Sequence, residues 1–315
     1  MSNPPARMAL KPAQLRLLAA LGDHGQLQLA AEACAITQPA ASRMLAEIER
    51  LLGAVLFLRQ PKGLAPTEAG RLVLRRSALI LREMNRMGAE VAAMREGDAG
   101  TVRVGAVTGP AVSYLVAAIR EVKAQAPTAD ITVEVLPSSD LLRHLAASEL
   151  DFAVGRILPE YDANDFDILP MRDERVSFLV RASHPLAHAP LVTLTELVGA
   201  EWIMQQRGAP IRETTLQAFA AIGLPEPANI VNTPSLLFTI AYLAQSDAVA
   251  PMSEEVADLL IHPPVAAGLR RLTVPGTVLV SPYYLLSLRR RPLSPLAQRL
   301  RAALIAHSDR AALLV

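Results

Sequence analysis

From Thr67 to Glu96 no proline interrupts the chain, so this stretch can run as a single α-helix of roughly 45 Å at about 1.5 Å per residue. Val73, Ser77, Ile80, Met84, Met87, Val91 and Met94 recur along it at alternating spacings of four and three. That is the pattern of a coiled-coil seam, broken only by Ser77. Arg75, Arg76, Arg82, Arg86 and Arg95 fall off the seam. A methionine-rich stripe of this kind reads as packing surface rather than a cofactor box, and the packing expected is against a second copy of the chain. Gly97-Asp98-Ala99-Gly100 then marks a hinge and a domain boundary.

The two sides of that helix differ in charge. The net charge of +1 over 315 residues conceals 13 basic and 9 acidic residues in 1–100, against 18 and 21 in 101–315. Residues 7–76 alone carry 10 basic and 5 acidic side chains. A basic head on a mildly acidic body points to nucleic acid or a membrane surface at one end, though a solvated basic surface has the same signature. With 51% hydrophobic and 19% charged residues, the chain can bury a sizeable core, which excludes a disordered chain. Its length fits two or three domains.

Before the long helix, residues 12–21 place Leu15, Leu18 and Leu21 at helical spacing, and Gly22-Asp23-His24-Gly25 ends the run. A short helix at 27–33 and a break at Cys34-Ala35-Ile36 follow, then a helix over 37–53. Thr37 is its N-cap, and Pro39 sits in the first turn where a missing N–H costs nothing. Ala41, Leu45, Ile48 and Leu52 form one apolar face, with Gln38, Ser42 and Arg43 off it. Helix, sharp turn and helix, with small Ala30-Ala31 at the elbow, match a helix-turn-helix; a plain helical hairpin is the alternative. Residues 56–70 then read as strand, Pro/Lys/Gly tip and return strand, with Arg59 and Lys62 projecting and Thr67 capping the next helix. A basic hairpin beside a helix-turn-helix is a wing suited to phosphate contact.

After Gly100 strands and helices alternate. Strands are predicted at 101–107, 131–136 and 151–156, with helices at 114–125 and 141–150. A second set comprises strands at 176–181, 201–205, 229–231 and 247–250, with helices at 212–221 and 236–244. The stretch 277–290 reads as a strand pair or one long strand, and a closing helix covers 296–305. Repeated β-α-β units predict a largely parallel sheet, here in two α/β lobes with a cleft between them.

Taken together these residues resemble the LysR-type transcriptional regulators over about Met8 to Asp309. The resemblance is carried by LAAEACAITQPAASRMLAEIERLLGAVLFLR at 29–59 and PTEAG at 66–70 in the head. In the body it rests on TVRVGAV at 101–107, LDFAVGR at 150–156 and SHPLA at 183–187. It implies an N-terminal winged helix-turn-helix at 8–66, a long linker and dimerisation helix at 67–96, and a C-terminal two-lobed α/β periplasmic-binding-protein-like sensor domain at 101–309. The implied partners are double-stranded DNA, a small anionic effector and further copies of the chain, as a homodimer or homotetramer. No cofactor, metal, membrane or enzymatic activity is implied, and the expected location is the cytoplasm.

Carried over position by position, Thr37, Gln38, Pro39, Ser42 and Arg43 match groove-facing residues, and Arg59 and Lys62 match the wing. Gln38 can hydrogen-bond an adenine edge, and Arg43 a guanine edge or a phosphate, while Thr37 and Ser42 clamp the backbone. Gln28 takes a phosphate-contact position entering the second helix, although the family often has Ser-Phe-Thr where this chain has Gln26-Leu27-Gln28. The single wing lysine, where relatives often carry several arginines, predicts a modest electrostatic grip.

In the sensor, Thr108 and Gly109 after the first strand and Ser138 and Ser139 after the second are expected to turn helix N-termini toward an anion. Gln205, Gln206, Arg207 and Thr233 follow strands of the second lobe, and Arg207 can pair with a carboxylate. Plain N-capping by the serines and a surface role for Arg207 are the alternatives, and Arg156 lines either the cleft or the hinge. The Val-Gly-Arg segment and the Asp-rich residues after it resemble relatives linked to aromatic-acid or sugar catabolism, which implies a small carboxylate-bearing effector.

Other classes fit poorly. A solute-binding protein serving a transporter has similar lobes but needs a secretion signal and carries no winged helix. The first thirty residues show no cleavage pattern, and no apolar stretch reaches the ~20 residues of a bilayer span. The six histidines lack metal-ligand spacing and no G-x-S-x-G occurs, which argues against an enzyme. The one cysteine, Cys34, has no resolving partner for disulfide sensing and is expected to pack between helices.

Overall fold

The computed structural model describes residues 10–60, 63–96 and 100–312. The chain divides into two compact units, the second starting at Thr101.

In the first unit α1 spans Pro12–His24, α2 Leu27–Ala33 and α3 Gln38–Leu52. Gln14 accepts from the Lys11 backbone N–H at 2.8 Å, and Thr37 Oγ1 accepts from Ala40 N at 3.4 Å, so both long helices start on a side-chain cap. The first helix runs three residues past the expected end at Leu21 and stops at Gly25. Ala30, Ala31 and Ala41 are fully buried and let α2 approach α3 closely, while Leu45 and Ile48 join Leu17, Leu18 and Leu21 in one core. Cys34 is part of that packing, and burial pushes its thiol up from the ordinary cysteine range.

The strands β1 (Phe57–Gln60) and β2 (Gly63–Pro66) pair antiparallel, with Arg59 opposite Leu64. Lys62 lies outside the described residues. Helix α4 covers Glu68–Glu96, and Thr67 caps its start by accepting from Gly70 N at 3.0 Å while donating to Val55 O at 2.8 Å. A Cβ placed on Gly70 would press into the Leu56 carbonyl and sit 3.2 Å from Pro66 Cβ. Gly70→Ala is therefore expected to cost about 1–3 kcal/mol in thermal unfolding. An unchanged melting temperature would mean that the helix start can slide.

The α4 seam divides. Val73 packs on the core of its own unit and Ser77 is buried, whereas Ile80, Met84 and Met87 are exposed. The side chains of Arg86, Val91, Met94 and Arg95 lie outside the described residues.

The second unit begins with β3 (Thr101–Ala106) and a helical path made of α5 (Thr108–Pro110), a π-turn at Ala111–Leu115 and α6 (Val116–Gln125). Next come β4 (Asp130–Val135), α7 (Ser138–Ala146), β5 (Phe152–Gly155) and β6 (Phe166–Pro170). The chain then crosses to β7 (Glu174–Arg181), α8 (Leu194–Leu197), β8 (Trp202–Met204), α9 (Pro210–Ala221), β9 (Ile230–Asn232) and α10 (Leu236–Leu243). After β10 (Ala250–Ser253), α11 (Glu254–Ile261), β11 (Leu269–Arg271) and β12 (Leu279–Val280), it returns through β13 (Tyr284–Leu288) and α12 (Pro295–Ala312).

The first lobe is a five-stranded sheet in the order β4-β3-β5-β13-β6. Its strands β4, β3 and β5 are parallel, but β13 runs antiparallel to both β5 and β6. In the second lobe β7 pairs antiparallel with β10, β11 and β12, and β8 pairs parallel with β9. The expected largely parallel sheet is thus a mixed one, because the crossing strands enter from the opposite direction. Each lobe has its own core. Trp202 makes edge contacts with Phe178 and Phe219, at centroid distances of 5.7 and 5.6 Å, at the centre of the second.

Candidate nucleic-acid and effector sites

In the first unit Thr37, Gln38, Pro39 and Arg43 are exposed and Ser42 is half-buried, all at the N-terminal end of α3. The apolar face of that helix holds it against α1 and α2, so its polar end is presented by packing. No ion pair among the described residues engages Arg43 or Arg59, and both side chains are exposed. Gln28 is also exposed, but its Nε2 donates to Glu32 Oε1 at 3.2 Å along the same helix.

Two contacts fix the hairpin to this helix pair. Glu49 Oε1, near the end of α3, accepts from Leu56 N at 2.7 Å and from Phe57 N at 3.2 Å. Leu64 N donates to Gly25 O at 2.8 Å, in the turn between α1 and α2. Arg59 is therefore carried on a hairpin anchored to the helices at the start of β1 and again on β2.

In the second unit the candidate effector residues follow the carboxyl ends of parallel strands. Thr108 and Gly109 follow β3, Ser138 and Ser139 follow β4, and Arg156 follows β5. Across the unit, Gln205, Gln206 and Arg207 follow β8 and Thr233 follows β9. In open α/β sheets ligands gather at these strand ends.

Gly109 sits close against residues that come later in the chain. A Cβ there would lie 2.7 Å from Tyr283 Oη, 3.1 Å from Ser253 Oγ and 3.2 Å from Glu255 Oε2. A larger residue there would have to displace the buried Tyr283 hydroxyl. Ser113, within the π-turn, donates to Gly109 O at 2.9 Å. Such turns recur at functional sites; here Thr108-Gly109-Pro110 opens the helical path directly after β3, where a helix N-terminus is expected.

Burial raises the Glu255 carboxyl above the usual carboxylate range, helped by the neighbouring Glu174 and Glu254 charges, while its own backbone N–H and Ser253 oppose the rise. Tyr283 is raised too, by burial and then by Glu174 and Glu255. A carboxyl whose folded pKa is raised binds protons more tightly than the unfolded chain, so its stabilising share fades as pH rises from the ordinary carboxylate range toward neutrality. Glu255→Gln, which keeps the shape without the charge, should therefore gain melting temperature over the parent as pH rises from 4 to 7. A difference that stays constant with pH would contradict the buried-carboxyl assignment.

Arg156 is held by the segments that cross between the lobes. It is 8% exposed, its Nη2 pairs with Glu174 Oε2, and its Nε donates to Ser281 O at 3.0 Å and to Ser281 Oγ at 3.2 Å. Its guanidinium stacks 4.7 Å from the Tyr283 ring centroid. Glu174 and Ser281 belong to the two crossing segments, so one side chain from the first lobe grips both. Ser138 Oγ accepts from Arg156 N at 3.0 Å and supports that arrangement, while Ser139 is exposed.

Thr233 N donates to Met204 O at 2.9 Å and its Oγ1 accepts from Ser235 N at 3.1 Å, so its hydroxyl shapes the loop. Gln205 is half-buried, and Gln206 and Arg207 are exposed. Arg212, outside the sequence-predicted set, is 2% exposed; its Nη1 donates to Gln205 O at 3.0 Å and also to Asn232 Oδ1. The presence of an arginine in a helical first turn was visible in sequence, but its burial was not.

Among the described residues no helix is long and apolar enough to cross a membrane, and no group of three or more His, Cys, Asp or Glu could hold a metal ion.

Residues 12–71 match the family model for the bacterial regulatory helix-turn-helix protein of the lysR family, and residues 95–309 that for the LysR substrate binding domain. The chain is 38% identical over 248 residues to the HTH-type transcriptional regulator GbpR of Rhizobium radiobacter, covering 78% of this chain and 82% of that protein. It is 33% identical over 302 residues to GbpR of Azospirillum brasilense, covering 95% and 87%. The fold is shared with full-length CbnR crystallised with its target DNA, at TM-score 0.68 and 21% identity over 95% of this chain and 100% of that chain. The solute-binding alternative falls with the helix-turn-helix match. The chain belongs to the LysR family: it is a ligand-responsive transcriptional regulator, not an enzyme, of a kind that binds DNA and a small-molecule effector and forms oligomers.

Proposed function

We propose a division of labour in which residues 8–66 read promoter DNA, 67–96 join protomers and 101–309 bind the effector. Gln38 and Arg43 contact base edges, Thr37, Pro39 and Ser42 fit the groove wall, and Gln28, Arg59 and Lys62 contact phosphates. The exposure of Gln38 and Arg43 at the N-terminal end of α3 supports this assignment. The protomers pair along α4, as a dimer or a pair of dimers, and the exposed Ile80, Met84 and Met87 support that reading.

The effector in this proposal is a small carboxylate-bearing metabolite, of aromatic or sugar origin, held between the lobes. Thr108, Gly109, Ser138, Ser139, Gln205, Gln206, Arg207 and Thr233 lie around it, and Arg156 sets the hinge on which the lobes close. The carrying observation is that these residues all follow the carboxyl ends of parallel strands. Effector binding then shifts the population between lobe arrangements and with it the spacing of the DNA-reading heads.

A thermal-shift panel of small carboxylates and sugars identifies a binder. Thr108→Val should then weaken it by roughly 10- to 100-fold, the equivalent of one hydrogen bond to a charged group, and remove its effect on the DNA footprint. Calorimetry that returns parent-like affinity for the variant counts against the pocket.

A further inference from the structure

The second unit contains two deeply buried arginines that are treated differently. Arg156 is neutralised by Glu174. Arg212 is more buried still, and no carboxylate among the described residues pairs with it. Its Nη1 holds two neutral acceptors, Gln205 O at 3.0 Å and Asn232 Oδ1, and its Nε is sealed from solvent with no acceptor. The adjacent Glu213 is engaged elsewhere, its Oε1 accepting from Gly208 N at 2.8 Å.

Arg212 also stands in the first turn of α9, where the helix dipole disfavours a cation. Burial and dipole both act against this charge, and among the described residues it meets two neutral acceptors and no carboxylate. Its place compounds the point, because Gln205 and Asn232 lie at the carboxyl ends of the parallel pair β8 and β9. The N-terminal N–H groups of the twelve-residue α9 begin at the same loop.

We propose that Arg212 is the residue that holds the carboxylate of the effector. Nε and Nη2 form one edge of the guanidinium plane, the edge that offers two parallel donors to a carboxylate; Nε is buried without an acceptor, and the hydrogen bonds of the guanidinium among the described residues are made by Nη1. Nη1 is held by Gln205 and Asn232, so the plane is set before the ligand arrives. With Arg212 2% exposed, the anion enters as the exposed Gln206–Gly208 segment beside it gives way. This assignment rests on the interlobe reading of the effector site and names the chemistry of one end of it.

The test uses the full-length protein and matched probes: acetate against acetamide, benzoate against benzamide, gluconate against glucose, and inorganic phosphate. Thermal unfolding and calorimetry are run on the parent, Arg212→Gln, Arg212→Lys and Thr108→Val. The parent should prefer at least one carboxylate over its neutral partner by roughly tenfold or more. Arg212→Gln should bring that ratio close to one, and Arg212→Lys should keep part of it. As a check that needs no variant, the Arg212 Nε–H resonance of the parent should shift when the preferred carboxylate is added.

An unchanged ratio in Arg212→Gln, or an unmoved Nε–H resonance, overturns the assignment. So does the absence of any carboxylate preference in the parent, and a preference for phosphate overturns the carboxylate class. If Thr108→Val abolishes binding while Arg212→Gln does not, the Arg212 assignment fails and the interlobe site stands. If only Arg212→Gln has an effect, Arg212 stands and the Thr108 side of the site falls.

Discussion

Arg156→Ala is expected to lower the unfolding free energy of the sensor unit by about 3–5 kcal/mol. The size follows from what the deletion leaves behind. Glu174 is 3% exposed, and without the guanidinium its carboxylate is a buried charge with its principal partner removed. Ser281 O and Oγ lose their donor as well, and Tyr283 loses the cation over its ring. Glu174→Ala should cost a similar amount, because it strands the guanidinium instead. Replacing both by apolar residues of similar size, Arg156→Met with Glu174→Leu, should recover much of the loss, since neither charge remains to be desolvated. Urea denaturation of the four proteins decides the matter. A double variant as unstable as the sum of the singles would show that the two residues act independently, and the hinge would need another basis.

Arg43→Ala is expected to weaken specific DNA binding by about 1–3 kcal/mol, roughly 5- to 150-fold. The side chain is exposed on α3, and alanine is the best helix former, so the head should stay as stable as the parent. Oligomerisation and effector binding should be untouched. Arg59→Ala provides the contrast: it should weaken binding about equally across sequences and reduce the salt slope by about one. A gel-shift titration in which Arg43→Ala keeps parent affinity for its preferred duplex would remove Arg43 from the groove.

The head of the protein was more legible in sequence than the body, for physical reasons. Thr37, Pro39 and Gly53 punctuate α3 locally, and the four apolar residues of its face repeat within a single helix. Helix α2 was predicted with the bounds it has. Local signals cannot say which partner a face meets, and so Val73 and Ser77 pack within their own unit while Ile80, Met84 and Met87 stay exposed.

The mixed sheet of the first lobe depends on β13, which reaches β5 from some 130 residues further along the chain. No local period records that pairing. Strand β6, ending in Pro170, carries little periodic signal, whereas α11 lies outside the predicted helices although Ser253, whose Oγ accepts from Val256 N at 3.4 Å, is a legible local start. The same holds for the two arginines, since neither the contacts of Arg156 with Glu174 and Ser281 nor the burial of Arg212 without a carboxylate partner among the described residues has a local signature in sequence.

The central claim is that this chain reads DNA sequence through the N-terminal end of α3. In vitro selection from a random duplex library, using the full-length protein beside Arg43→Ala, tests it most directly. The parent should enrich a motif built of two related half-sites, as a symmetric oligomer requires, and Arg43→Ala should enrich it weakly or not at all. No enrichment by the parent over beads without protein, or equal enrichment of the same motif by both proteins, would contradict the claim.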